Sequence, residues 1–365
     1  MTKQIILKNY QILSASGNLE RTCDSLYKGI TTIKPGPCFG VNVPHASFDN
    51  IALRTLENAI RALSFSPSFT GDHLLFIFAA AKGELTSLEQ YYRGDTSKDI
   101  YESLLDIQCI RAVKALAINP AHTTIMSSAC ASGAVAIDYA KEQLALGRYT
   151  DVIIFAYDTI SEFVIKGFNA LNALSPEPAR PFDKTRNGLT LGDGAAIAHL
   201  TYEEPSQGDI VICGSGTSND ANHRTGPSRT GDGLHRAITL ALDDAHITPD
   251  KIAAVKCHGT ATNYNDAMEA KALFSTFGEN IPPTLSLKGA IGHTSGAGSL
   301  LEICLSTEFI KRRMIPPTIG FSEHGVDEPV KICASSQTID KTHILCLSAG
   351  FGGLNCAVII KEVQP

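Results

Sequence analysis

An α/β fold with buried sheets is what this 365-residue chain predicts, and two observations carry the prediction. Short apolar runs alternate with stretches of helical periodicity along the whole length, so strands alternate with helices and the sheets lie covered between them. The two halves also resemble each other in outline. Each begins with a short strand, each has a central strand ending in a reactive residue, and each ends in a strand after a glycine pair or cluster, which points to an internal duplication.

The elements follow in order. Strands are expected at Ile5–Leu7, Leu74–Phe78, Thr123–Met126, Val152–Ala156 and Ala195–Leu200, then at Ile210–Cys213, Ala253–Cys257, Leu345–Ser348 and Cys356–Ile360. These are apolar runs bounded by polar or glycine-rich stretches. Helices are expected over Ile51–Leu63, Ile100–Ala117, Ala134–Leu146, Leu234–Ala245, Asp266–Phe277 and Ser299–Lys311. A composition shift at Tyr202–Gly208 reads as a linker and divides the chain into residues 1–204 and 205–365. Gly214-Ser215-Gly216 and Gly192-Asp193-Gly194 read as turns, since no Walker lysine follows them and no dinucleotide-binding spacing appears.

A net charge of −6 with no basic tail argues against nucleic-acid binding. The longest apolar runs are too short to span a membrane. Met1-Thr2-Lys3-Gln4 leads into a strand-like run rather than a leader, so the expected location is cytoplasmic. Ten cysteines without paired spacing make a zinc or redox motif unexpected, and no metal site is expected.

One cysteine stands apart. Cys130 lies between the apolar run Thr123–Met126 and the helix Ala134–Leu146, among Ala129, Ala131, Ser132 and Gly133. A thiol at a strand-to-helix junction meets free N–H groups and the positive end of the helix dipole, which favour the thiolate. The same small residues also suit tight helix–sheet packing. Two histidines have glycine-rich settings: His258 in Cys257-His258-Gly259-Thr260-Ala261-Thr262, and His293 in Lys288-Gly289-Ala290-Ile291-Gly292-His293. One nucleophile with two histidines suggests acyl transfer through a thioester, then chemistry at a carbanion. Thr260 and Thr262 have the spacing to point the same way. Asp266 and Glu269 fall in the expected first turn of the next helix, where capping and dipole compensation explain them. Glu302, nine residues after His293, is placed to compensate Lys288 as a buried pair. Phe351 sits between glycines after a strand, positioned to swing or to present its N–H to a ligand.

These motifs together resemble the β-ketoacyl-acyl-carrier-protein synthases, the elongating Cys-His-His branch of the thiolase superfamily. The likeness runs from the opening Ile5–Asn18 through Cys130-Ala131-Ser132-Gly133, Gly167-Phe168, Arg180–Gly188 and Gly192-Asp193-Gly194-Ala195. It continues through His258–Thr262, Lys288 to His293, Ile315–Thr318 and Gly350-Phe351-Gly352-Gly353. The resemblance implies a thiolase fold, a duplicated five-layer αβαβα sandwich, usually dimeric. It implies that Cys130 carries the acyl chain, with its own N–H and that of Phe351 as oxyanion hole. His258 and His293 would stabilise the enolate formed when malonyl on an acyl carrier protein loses carbon dioxide. Lys288 with Glu302 would orient the His293 loop. Thr260 and Thr262 would contact the phosphopantetheine arm, Phe168 would contact substrate, and Phe351 would also gate the pocket. No cofactor is implied, because the carrier protein delivers the arm.

Four departures from that pattern bear on partners. The segment between Ile33 and Leu74 is short where relatives carry a basic helical insertion. Asn172 stands where an arginine is common. Leu354 replaces a threonine, and Lys256-Cys257 replaces a small or acidic pair. The shortened front resembles the ketosynthase-like subunits of aryl-polyene and type II polyketide pathways. Three readings follow: an active condensing enzyme of fatty-acid, polyene or polyketide elongation; a chain-length-factor partner in a heterodimer rather than a homodimer; and a thiolase-like acyltransferase. The last is disfavoured because Cys346 and Cys356 fall within expected strands.

Overall fold

The computed structural model describes residues 3–66 and 73–364. Ten strands form one path of backbone pairing. In the first half they are β1 (Gln4–Ser14), β2 (Leu74–Ala79), β3 (His122–Met126), β4 (Asp151–Asp158) and β5 (Gly194–Glu203). In the second half they are β6 (Ile210–Asn219), β7 (Ile252–Lys256), β8 (Thr284–Leu285), β9 (His343–Gly350) and β10 (Leu354–Glu362). The order is β8-β7-β9-β10-β6-β1-β5-β4-β2-β3. Each half therefore repeats one arrangement, its third, second, fourth, fifth and first strands lying side by side. The pairing senses repeat too: the third, second and fourth strands are parallel, and the fifth is antiparallel to both the fourth and the first. The halves join where Ile5–Leu7 pairs antiparallel with Ile210–Ile212.

The helices explain why the strands are apolar on both faces. α2 (Leu56–Leu63) and α4 (Leu105–Leu116) cover the outer face of the first half. α5 (Ser132–Ala145) and α10 (Gly298–Lys311) lie between the halves, against each other and against strands of both. α7 (Asp232–Ala245) and α8 (Asn263–Phe277) cover the outer face of the second. This is the five-layer αβαβα arrangement. Along β2, Phe76 and Phe78 face α2 and α4, while Leu75 and Ile77 face the central helices. Each such side chain contributes roughly 1.5–3 kcal/mol of burial.

Every expected strand is present, as are four of the six expected helices; Ile51–Leu63 and Ile100–Ala117 each break into a 3-10 turn (Ile51–Arg54, Ile100–Ser103) and a shorter α-helix after one extended residue, and several local readings change. α5 is buried on most of its surface, because strands of both halves flank it. Gly214 and Gly216 lie inside β6, not in a turn; a Cβ there would stand 2.2 Å from Ala241 O and 2.5 Å from Ala237 O of α7. The residues after Tyr202-Glu203 form the only connection between β5 and β6, so the expected linker is a short turn within a shared sheet. Gly192-Asp193-Gly194 is not a turn either: Asp193 is the one residue between the short strand Leu191–Gly192 and β5, its carboxylate accepting from Phe48 N, Ile160 N and Arg54 Nε. The short segment Ile33–Leu74 holds short strands, a 3-10 turn at Ile51–Arg54 and α2; its residues 67–72 lie outside the described ones.

Candidate active site

The nucleophile candidate sits on a strained turn. Between β3 and α5 the chain makes one 3-10 turn, Ala129–Ala131, so Cys130 precedes the helix instead of opening it. Ala129 has φ +49°, a left-handed conformation that a non-glycine residue holds at a cost of about 1–3 kcal/mol. Ser132 fixes the turn: its Oγ accepts from Ser128 N at 2.9 Å and donates to Ala129 O at 2.6 Å. Behind it α5 and α10 approach closely, since a Cβ on Gly133 would lie 2.6 Å from Leu300 N. The β9–β10 hairpin closes from the other side, and a Cβ on Gly350 would be 3.0 Å from Ser128 O and 3.3 Å from Cys130 N. That hairpin brings the Phe351 N–H to the Cys130 thiol, where it favours the anion. Burial pushes the thiol up to about 12, against the pull of Lys288, Lys82 and the Phe351 N–H. Burial therefore works against the thiolate that the helix end favours.

His258 follows β7 and is held by its backbone. His258 N and Gly259 N each donate to Glu269, at 2.6 Å to Oε1 and 2.6 Å to Oε2, and His258 O accepts from Lys288 Nζ at 2.6 Å. α8 begins at Asn263, so Asp266 ends its first turn and Glu269 lies in the second. Neither is a simple cap. Asp266 accepts from Phe182 N at 2.7 Å and Ala261 N at 3.2 Å, tying the Arg180–Gly188 segment to the histidine loop. Burial pushes the Asp266 carboxyl up to about 6 and the Glu269 carboxyl up to about 7, with Asp266 adding to the latter. Gly259, at φ +46°, allows the loop to pass Ser286, whose Cβ would lie 2.5 Å from an added one.

His293 comes after the short helix α9 (Lys288–Ile291) and docks on the first half: its N donates to Thr190 O at 2.7 Å and its O accepts from Gly192 N at 2.9 Å. Gly296 N then donates to Asp158 Oδ2 at 2.7 Å; the same carboxylate collects Ala81, Lys82 and Gly83 N–H groups and the Lys82 ammonium. The two imidazole rings stand edge to face, centroids 5.3 Å apart. Burial first, then the Lys288 charge, drives His293 down to about 3 and His258 well below its ordinary value. Both rings are therefore neutral at pH 7 and each keeps one N–H to donate. His293 Nδ1 is buried without a partner.

A cavity of about 420 Å³ joins these groups. Cys130, His258 and His293 line it, together with Thr260, Thr262, Phe168 and Phe351. The two threonine hydroxyls are 2.9 Å apart, and the Phe168 and Phe351 rings stack at 5.5 Å. Lys288, Glu302, Asp266 and Glu269 stand behind the wall rather than on it. Lys288 grips the His258 carbonyl, so it acts on the first histidine loop from the base of the second. Sequence reasoning passed over two groups. Asp158, at the end of β4, gave no signal beyond an acid closing an apolar strand. Lys256 was noted only as a departure, yet its ammonium donates to Glu302 Oε2 at 2.7 Å while Lys288 donates to Glu302 Oε1 at 2.7 Å.

The fold is of the thiolase type. The N-terminal-domain model of the β-ketoacyl synthases matches residues 52–205 and the C-terminal-domain model matches 210–322; the chain belongs to this family. Among curated relatives, the tetracenomycin polyketide synthase ketoacyl synthase alpha subunit of Streptomyces glaucescens is 32% identical over 256 residues, 66% of this chain and 60% of that protein. The 3-oxoacyl-[acyl-carrier-protein] synthase 2 of Staphylococcus aureus is 33% identical over 251 residues, 65% and 61%. The matched region thus spans about three fifths of these relatives. A solved complex of a ketosynthase with its chain length factor from Xenorhabdus doucetiae superposes with TM-score 0.86 at 26% identity, over 99% of this chain and 98% of the other. A β-ketoacyl synthase from Burkholderia phymatum superposes with TM-score 0.87 at 25% identity, over 99% and 100%. Among the described residues no helix is long and apolar enough to cross a membrane, and no cluster of ligating side chains has metal-binding geometry.

Proposed function

We propose that this chain is a 3-oxoacyl-[acyl-carrier-protein] synthase that elongates an acyl chain by decarboxylative Claisen condensation. The observation that carries the reading is the convergence of Cys130 and two neutral imidazoles on one cavity. In the first step the Cys130 sulfur attacks an acyl-carrier thioester, and its proton leaves with the carrier thiol. The Phe351 and Cys130 N–H groups receive the oxyanion. In the second step malonyl-carrier protein enters, His258 and His293 donate to its thioester carbonyl, and the C–C bond to the carboxylate breaks to release carbon dioxide. The resulting enolate attacks the acyl carbonyl, the C–S bond breaks, and Cys130 regains a proton. Thr260 and Thr262 face the route a phosphopantetheine arm would take, so the carrier protein supplies the arm and no resident cofactor is required. The setting is cytoplasmic, within fatty-acid, polyene or polyketide synthesis.

The carrier protein is acidic by this reading, and the chain's own docking charge is weak. Asn172 on the cavity wall is neutral. Lys311, Arg312 and Arg313 at the end of α10 are engaged by Tyr10 and Glu308, by Asp24, and by Glu362. Electrostatic steering needs concentrated opposite charge. A second ketosynthase-like subunit that presents the docking surface meets this need, and the ketosynthase–chain length factor pair of Xenorhabdus doucetiae is an arrangement of that kind. A homodimer is the alternative. Intact mass after incubation with acyl-carrier protein is expected to show one acyl group on Cys130 and none on the other nine cysteines. Labelling that spares Cys130 removes the reading. Full elongation by the lone chain would remove the need for a second subunit while leaving the chemistry standing.

A further inference from the structure

Beneath the cavity two buried lysines share one carboxylate. Lys256, Lys288 and Glu302 are 0%, 2% and 2% exposed. Each carboxylate oxygen takes one ammonium at 2.7 Å. The remaining bonds go to main-chain carbonyls: Lys256 to Leu347 O at 2.7 Å and Lys288 to His258 O at 2.6 Å. With two cations against one anion, the cluster carries an excess positive charge. Lys256 is the second cation, two residues ahead of His258 on the same strand end. Its carbonyl bond reaches β9 four residues before Phe351, so this ammonium links the first histidine loop, the carboxylate of α10 and the hairpin that carries the oxyanion N–H.

We propose that Lys256 is a positioning residue for the condensation, which supplies positive charge behind His258 and fixes the Phe351 hairpin through Leu347. The proposal rests on the condensing reading above. Its physical basis is general: a fixed charge in a water-excluded site acts on charge that develops in the transition state. The enolate oxygen develops its charge against the two imidazoles, and a cation behind His258 favours it. The same cation opposes protonation of His258, which keeps the ring a neutral donor; Lys288 from α9 and His293 act on His258 in the same sense. The other groups around His258 are Glu269 of α8 on its backbone N–H and Cys130 across the cavity. Around Lys256 lie Glu302, Glu269, Cys346 of β9 and Cys356 of β10.

The test compares wild type with Lys256→Met, which keeps the side chain's length and removes its charge, and with Lys256→Arg, which keeps a cation. Three quantities are read: melting temperature, decarboxylation of malonyl-carrier protein as kcat and KM separately, and the side-chain 15N titration of His258. For Lys256→Met the expected result is a melting temperature equal to or above wild type, because Lys288 still neutralises Glu302. Its kcat should fall tenfold or more at unchanged KM, since Lys256 does not line the cavity, and His258 should protonate at higher pH. Lys256→Arg should restore the wild-type titration. If Lys256→Met matches wild type in kcat and in the His258 titration, the proposal is overturned. A merely structural ion pair would instead lower stability and leave the titration in place, which also overturns it. Should methionine not fold, Lys256→Gln, which keeps a donor for Leu347 O without charge, is read in the same way. Wild type that releases no carbon dioxide refutes the condensing reading itself, an outcome separate from all of these.

Discussion

Replacing Glu302 by glutamine removes the single anion between two buried ammonium groups while preserving shape. Lys256 and Lys288 keep their carbonyl acceptors, Leu347 O and His258 O, but lose the carboxylate 2.7 Å away. Breaking a buried pair from one side costs about 3–5 kcal/mol, because uncompensated charge is left in the interior. A domain's whole stability is about 5–15 kcal/mol, so the variant should lose a large share of it. In the wild type, burial pulls the Lys256 ammonium down, and the charge and hydrogen bond of Glu302 together with Cys346 and Glu269 hold it above its ordinary value. Removing both Glu302 contributions leaves burial, the largest influence, opposed only by Cys346 and Glu269, and the folded-state value is expected to drop below the unfolded one. A base depressed in this way makes its stability contribution above the unfolded value near 10.5 and loses it as pH falls. The deficit of Glu302→Gln should therefore be largest near neutrality and shrink toward pH 10. Urea unfolding at pH 7 and pH 9.5 reads both effects. A triple variant with methionine at 256, 288 and 302 should recover most of the loss at pH 7 while staying inactive, since burying the whole cluster's volume as apolar groups avoids the desolvation. A deficit below about 1 kcal/mol, or one that does not change with pH, refutes the reasoning.

Three further outcomes are expected. His293→Ala should still accept an acyl group on Cys130 but release carbon dioxide about two orders of magnitude more slowly, the loss of one enolate donor worth about 2.7–4 kcal/mol; single-turnover assays of each half-reaction measure this. Glu269 is raised by burial to about 7 from 4.5, so its stabilising contribution is complete below about pH 4.5 and is lost as pH rises through 7. The stability of wild type relative to Glu269→Gln should accordingly fall by on the order of 3 kcal/mol across that window, as followed by urea unfolding at several pH values. Gly133→Ala should lower stability by about 1–3 kcal/mol in the same assay, because a methyl group 2.6 Å from Leu300 N forces α5 and α10 apart.

Much of this molecule was legible in its sequence, for physical reasons. Continuous apolar runs such as Leu74–Phe78 mark strands covered on both faces, and the structure places helices on each side of them. Cys130, His258 and His293 were marked by small residues and glycines, which the close approach of neighbouring segments demands. The unread parts depend on partners distant in sequence. Gly214-Ser215-Gly216 looked like a turn because nothing local announces that α7 packs its backbone there. Asp266 and Glu269 looked like helix caps because the N–H groups they hold belong to the preceding loop and to Phe182, far upstream. Lys256 looked like an oddity in an apolar strand; its carboxylate partner is 46 residues away. The helix α6 (Glu162–Ala170), which presents Phe168 to the cavity, escaped notice because nine residues give too little periodicity. At Cys130 the helix end favours the anion and burial opposes it, a balance set by the surrounding layers that the local sequence does not carry.

The central claim is that Cys130, His258 and His293 form one condensing site, and product formation tests it most directly. Cys130 is first loaded with an acyl group, excess donor is removed, and malonyl-carrier protein is added together with the neighbouring ketosynthase-like subunit where one exists. Intact mass of the carrier protein is then followed over a single turnover. The account predicts a 3-oxoacyl-carrier species two carbons longer than the loaded chain, release of one carbon dioxide per acyl group, and return of Cys130 to a free thiol, with no product from Cys130→Ser, which holds no thioester. Persistence of the acyl-Cys130 species with malonyl-carrier protein unchanged, or product formed equally well by Cys130→Ser, would contradict it.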